Sequence, residues 1–277
     1  MIAHAGVDHL AFGLGGAVAV GIYGWAWVVQ PRPVVARLGA WIAGVSLVVL
    51  ASSPWLERMA ERSFTGHMVQ HLIVIIGAAP LLVMARPIHT ALMAGWIPPT
   101  AFGRRVSAAW HRSGPVLGPG LFVVVLFVTH LTSIYDRALG DRWLHEAEHV
   151  AYLLGAVAMW AAVLGVGRSV AAARIGSVFG VVAGGALLGM ILIAATAPLM
   201  PTYEARLGTA AALDDQRSAA ALMWVTGMFT TLPLLVLAVW RWAAAEERIA
   251  RRAEALTDAA ALTPSASAGS THNGRFS

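Results

Sequence analysis

Two pairs of histidines at four-residue spacing carry the chemistry of this chain. His67 and His71 open an apolar run, FTGHMVQHLIVIIGAAPLLVMA over 64–85, and His145 and His149 bound the pentapeptide HEAEH. Four-residue spacing places both imidazoles of a pair on one helical face, about 5–6 Å apart at Cβ, which suits chelation of one metal ion. With a rise of about 1.5 Å per residue, His71 lies roughly 10 Å inside the start of its run. Ionisable side chains at that depth of a bilayer are costly, about 2.5–3.5 kcal/mol for the charged types, and mark functional sites.

The residue types narrow the metal. There is no cysteine, which excludes disulfides, CxxC redox chemistry, zinc ribbons and thiolate copper sites. Neutral imidazole with optional thioether or carboxylate suits copper or zinc better than magnesium or calcium. An outward-facing site without cysteine favours copper over zinc. Haem needs a histidine on each side of its ring, and a pair on one helix serves that poorly. Ligating imidazole must be neutral, so binding should weaken on acidification around the reference pKa of about 6.5. Loss of both His71 and His149 should abolish metal binding while leaving the helices folded.

The elements that must position these side chains are membrane helices. Of 277 residues, 58% are hydrophobic and 12% charged, a membrane composition. Seven segments approach spanning length, near 9–29, 38–55, 64–85, 116–135, 147–166, 175–197 and 218–240. No Lys or Arg precedes Arg32, so the first lacks the basic start of a signal peptide. All nineteen basic residues are arginine, and thirteen fall in loops 30–37, 86–115, 167–174 and the tail from 241. The positive-inside rule then puts the amino terminus outside and the carboxyl terminus inside. These arginines sit in short loops between apolar runs and read as topogenic, so the net charge of +5 does not point to nucleic acid. The expected fold is an all-α, polytopic seven-helix transmembrane domain over 1–242. A cytoplasmic tail over 243–277 follows, a short helix and then a disordered stretch containing His272.

Smaller features fit such a bundle. Gly180, Gly184, Gly185 and Gly189 form two consecutive GxxxG spacings that permit close helix approach. The inner loop 86–115 is expected to hold an interfacial or re-entrant segment near 88–97.

This topology gathers His67 and His71 of the third span, His130 near the end of the fourth, and His145 and His149 at the start of the fifth on one outer face. These five are the candidate ligands. Gln70, Asp215, Gln216 and Met223 are the candidate groups behind them, with Asp215 and Gln216 expected to orient imidazoles. Simpler readings accompany several residues. A single transmembrane histidine commonly bonds one helix to another. His4 and His9 read as solvated terminal residues, Met68, Met200 and Met223 as packing, and Glu146 and Glu148 as interfacial charges. His89 and His111 fall on the inner side.

The ordered set HMVQHLIV at 67–74, APLL at 79–82, His130 with Tyr135 and Asp136, His145 with His149, and DQRSAAALMW at 215–224 resembles the multi-spanning CtaG-type cytochrome c oxidase assembly family. It covers residues 64–240. The resemblance implies a seven-helix protein of the bacterial plasma membrane that helps mature a haem–copper oxidase by assisting formation of a copper centre. Its implied partners are an oxidase subunit, a copper donor protein and the lipid bilayer, and no catalytic role is implied. The sequence departs from the family pattern at Thr129, where tryptophan often precedes the fourth-span histidine, at Arg86 before Pro87, and at Ser218, Ala219 and Ala220 after the DQ pair.

One rival reading uses the same residues. HEAEH satisfies H-E-x-x-H, the signature of zinc metalloproteases, with His145 and His149 as ligands and Glu146 as base. Glu204 is then the best third ligand. That reading leaves His67, His71 and His130 without a role.

Overall fold

The computed structural model describes residues 2–164 and 171–261. Among them the chain is helical throughout, with no strand. In order come α1 (Ile2–Val29), α2 (Val35–Ala51), α3 (Pro54–Arg62), α4 (Phe64–Leu72), a π-helical segment (Ile73–Ala78), α5 (Ala79–Ala85), α6 (Pro87–Met93), α7 (Ala101–Leu131), α8 (Ile134–Ala138), α9 (Arg142–Val163), α10 (Ala171–Ala194), α11 (Pro201–Leu207) and α12 (Thr209–Ala261). Residues 1–235 form one compact unit and 236–277 a second. The described part of the second is helical to Ala261 and carries an exposed Arg251–Glu247 pair at 3.1 Å. The tail beyond 261 with His272, Arg168, and the side chains of His4 and His9 lie outside the described residues.

Five helices are long and apolar enough to cross a membrane: Phe12–Val29, Phe64–Met93, Ala101–Leu131, Ala173–Ala194 and Thr209–Ala255. The pair α2 and α3, bent by 50°, makes a sixth if taken as one broken span. The expected fifth span, on α9, is not in this set. Its first two turns hold His145, Glu146, Glu148 and His149, which interrupt the apolar run. Large apolar side chains such as Val18, Trp25, Leu121, Val124 and Phe179 stand exposed along these helices, the surface of a bundle solvated by hydrocarbon.

The histidine-bearing span is built by its own sequence. Ser63 caps α4, its hydroxyl accepting from the Gly66 amide at 3.0 Å. At the other end Pro80 lacks an amide hydrogen, and its ring would crowd the carbonyl of Ile76 in a regular helix. The chain widens into the π-helical segment just before it, which relieves that clash and frees backbone carbonyls. One of them, that of Ile75, accepts from the Trp160 indole at 2.7 Å, tying α9 to this span.

A related device ties α10 to α7. Pro119 removes the hydrogen bond that the Pro115 carbonyl would accept, and the buried Ser177 hydroxyl fills the place at 2.5 Å. Of the four glycines expected at a close approach, Gly184 faces Val123 of α7 and Gly189 faces Trp224 of α12, whereas Gly180 and Gly185 face open space. The region near 88–97 is the short helix α6 followed by a turn, after which α7 runs unbroken from Ala101.

Two other glycines are close approaches that no side chain could enter. A Cβ on Gly118 would lie 2.5 Å from the Ala158 carbonyl oxygen of α9, and one on Gly66 would collide with the Met59 carbonyl of α3. Gly66 directly precedes His67, so α4 cannot shift without moving the site. The Gly66→Ala variant should lose roughly 1–3 kcal/mol of stability, the usual cost of overpacking. A lowered thermal midpoint of the detergent-solubilised protein would register it.

Candidate metal centre

Three helices bring the five expected ligands to one end of the bundle. His67 and His71 come from α4, His145 and His149 from the first two turns of α9, and His130 from the last turn of α7. The His67 and His71 ring centroids are 4.4 Å apart, and those of His145 and His149 4.6 Å. Across the helices, His67 lies 5.2 Å from His145 and His71 lies 5.2 Å from His149. The two four-residue pairs thus face each other and form a quadrilateral of imidazoles.

Glu148 joins them. It is buried, and its two carboxylate oxygens each stand 3.9 Å from a histidine Nε2, one from that of His67 and the other from that of His71. Two groups of three have donor atoms within 4.8 Å of one another: His67, His145 and His149, and His67, His71 and Glu148. His130 belongs to neither. Its ring packs among Phe64, Tyr135 and Tyr152 at the edge of the cluster.

The donor atoms in this cluster are buried without partners. The Nε2 atoms of all five histidines and both oxygens of Glu148 have no hydrogen bond. Buried polar groups are nearly always satisfied, and each exception costs about 1–3 kcal/mol, more when charged. Six of these seven atoms, all but His130 Nε2, belong to the residues of the two donor groups and fit a set of metal donors.

The neighbours fix which nitrogen is free. The His130 Nδ1–H donates to the Leu126 carbonyl at 2.9 Å, leaving the Nε2 lone pair available. Tyr203 donates its hydroxyl hydrogen to the Ala60 carbonyl at 2.6 Å, so its oxygen can only accept from His67 Nδ1–H, 3.5 Å away. Burial pushes the Tyr203 phenol well above its usual pKa, so it remains a hydroxyl. His67 therefore also presents the Nε2 lone pair. Tyr135 lies against His67 at 4.5 Å and Tyr152 against His71 at 4.3 Å, walling the cluster with aromatic rings.

The groups expected behind the ligands act mainly on backbone. Asp215 accepts from the amides of Phe64, at 2.6 Å, and Thr65, at 3.2 Å, so it caps the start of α4 from another helix. Asp136 does the same for α11, accepting from the Thr202 amide at 2.9 Å. Gln216 accepts from the Leu199 amide at 2.8 Å and donates to the Leu192 carbonyl at 3.0 Å, closing the end of α10. Gln70 donates to the Ala51 carbonyl at 2.7 Å, where α2 ends. Asp215, Gln216 and Gln70 thus set helix positions rather than ring orientations. Met223 lines a cavity of about 70 Å³ beside the cluster, together with His71, His130, Met68, Met159 and Trp160. Met68 and Met200 are buried in the apolar core.

Asp215 gives a direct prediction. An acid at a helix amino terminus is favoured by the exposed amides and the helix dipole, and losing such a cap costs about 0.5–2 kcal/mol. The Asp215→Ala variant should lose about that much and should bind metal more weakly, since α4 carries two ligands. Chelator competition beside a thermal melt would separate the two effects.

The sequence read Glu148 as an interfacial charge and Tyr135 only as part of the family pattern, and did not single out Tyr152 or Tyr203. The signal for Glu148 was there: it lies three residues after His145 and four before Tyr152, on the same face of α9. Glu146, the base of the metalloprotease reading, is half-buried and belongs to neither donor group. Glu204, its third ligand, accepts from the Thr209 hydroxyl at 2.8 Å and is also outside both groups. His89 and His111 are apart from the cluster, near Arg37 and Ser107 respectively.

Comparison with known proteins places the chain. The model of one protein family, described as cytochrome c oxidase caa3 assembly factor, matches residues 21–245. An uncharacterized protein of Mycobacterium leprae is 26% identical over 245 residues, covering 81% of this chain and 37% of the relative. An uncharacterized protein of Mycobacterium bovis is 25% identical over 243 residues, covering 81% and 36%. The chain therefore spans little more than a third of the length of these relatives. No solved structure matches. The chain belongs to the Caa3_CtaG family of cytochrome c oxidase assembly factors.

Proposed function

We propose that this protein binds copper at the His67–His71–His130–His145–His149 cluster and assists formation of a copper centre in a haem–copper cytochrome c oxidase. The observation that carries this reading is the convergence of four unpartnered imidazole nitrogens and a carboxylate without a hydrogen bond in a cysteine-free pocket, with His130 at its edge. Imidazole with a carboxylate suits copper or zinc, and the family's role in oxidase assembly favours copper. The protein sits in a bacterial plasma membrane with seven spans, α9 being the fifth in order, amino terminus outside and carboxyl terminus inside. The cluster then faces outward, where a copper donor protein can reach it and an oxidase subunit can collect the ion. The role is that of a non-enzymatic carrier. The donor set favours it over proteolysis, because the third ligand that reading needs, Glu204, stands outside both donor groups, while His67 and His71, to which it gives no role, stand inside them.

The test is genetic and spectroscopic. A strain lacking the gene should make oxidase whose subunits and haem are present but whose copper content is reduced. Wild-type protein should restore the copper and the His67→Ala variant should not. Normal oxidase copper in the deletion strain would refute the proposal.

A further inference from the structure

We infer that the cluster holds one ion at a time in either of two overlapping positions, and that the ion passes between them by ligand exchange with His67 as the common pivot. This rests on the copper-binding reading and adds to it a path within the site. One position is His67, His145 and His149, and the other is His67, His71 and Glu148. Both need the same atom. His67 Nδ1 is engaged by the Tyr203 oxygen, which leaves Nε2 as the free donor, and one lone pair binds one ion. The two positions are therefore alternatives and not a two-metal centre.

The positions differ in access and in charge. His145 and His149 are half-buried, whereas His71 and Glu148 are 1% and 3% exposed. The three-imidazole position is neutral and nearer the surface, and the deeper one carries the carboxylate. A cation entering through His145 and His149 meets three neutral imidazoles first. In the exchange the bonds to His145 and His149 break, bonds to His71 Nε2 and a Glu148 carboxylate oxygen form, and the bond to His67 persists. The oxidation state of the ion does not change, and Glu148 binds as the carboxylate, any proton it carries leaving to solvent as the metal–oxygen bond forms. Running the step in reverse releases the ion toward the surface, as a carrier requires.

The test uses the full chain in detergent, titrated anaerobically with Cu(I) against a competing chelator. Wild type should bind one ion per chain. His145→Ala/His149→Ala and His71→Ala/Glu148→Gln should each still bind one ion, roughly 10- to 100-fold more weakly, since each leaves one position whole. The His67→Ala variant should bind none. X-ray absorption should show nitrogen-only ligation in the His71→Ala/Glu148→Gln protein. Two ions per wild-type chain, a reading that needs no variant, would overturn the inference in favour of a binuclear centre. Loss of all binding in either double variant, with helicity and elution unchanged, would overturn it in favour of a single site using every ligand. No copper in wild type would instead remove the copper-binding reading beneath it.

Discussion

Replacing Glu148 with glutamine is expected to stabilise the metal-free protein while weakening its grip on copper. Both carboxylate oxygens are buried and without a hydrogen bond, with only imidazole nitrogens at 3.9 Å. An unpaired charge in such a place costs several kcal/mol even after relaxation, and a buried neutral group of the same shape costs much less. The Glu148→Gln change removes the ionisable group, keeps the volume and leaves the helix face intact, so folding no longer bears either a buried charge or the proton uptake that neutralises it. The metal-free variant should gain roughly 1–3 kcal/mol. Its copper affinity should fall, because one of the two donor groups loses its anion. Thermal melts with and without bound copper would show the two signs: a higher midpoint without metal and a smaller metal-induced rise. A variant less stable than wild type without metal would mean that the protein already satisfies this carboxylate.

The second large effect is expected at His67, and it should contrast with His130. His67 is the member shared by both donor groups, whereas His130 is in neither. Removing His67 leaves no complete group of three, so copper affinity should drop by more than about 100-fold, beyond what losing a supporting group alone costs. The His130→Ala change should cost far less affinity, since that ring touches tyrosines and phenylalanine rather than the imidazole quadrilateral. Acidification should mimic the His67 loss. Protons compete with the ion for the same lone pairs, so affinity falls as pH falls. Burial disfavours the protonated form of an imidazole, as at His145, so affinity should hold near neutrality and fall only well below the reference pKa of about 6.5. A profile flat into strongly acid solution, with the fold retained, would argue against imidazole ligation.

These effects show how far the residues announced themselves. The His67–His71 and His145–His149 pairs were legible because helical periodicity fixes the relation of residues four apart, whatever the tertiary packing. That the pairs face one another could be read only from the order and direction of the spans. Glu148 was harder to read, because a carboxylate beside two histidines in sequence also fits an interfacial charge, and only the rotation of α9 decides which way it faces. Asp215 and Gln216 were legible as important but not in their manner of acting. Their acceptors and donors go to the backbone of α4, to Leu199 and to Leu192, contacts made across 17 to 151 residues that no local pattern encodes. The span on α9 was clear as a helix and blurred as a membrane segment for one reason: the residues that make the site also dilute its hydropathy.

The most direct measurement is the copper content of detergent-purified protein after reconstitution, by elemental analysis, for wild type beside His67→Ala. One copper per wild-type chain, held through nitrogen ligands in X-ray absorption and lost in His67→Ala at unchanged helicity, is the predicted result. Copper retained in full by a folded His67→Ala protein, or zinc bound in its place, would contradict it.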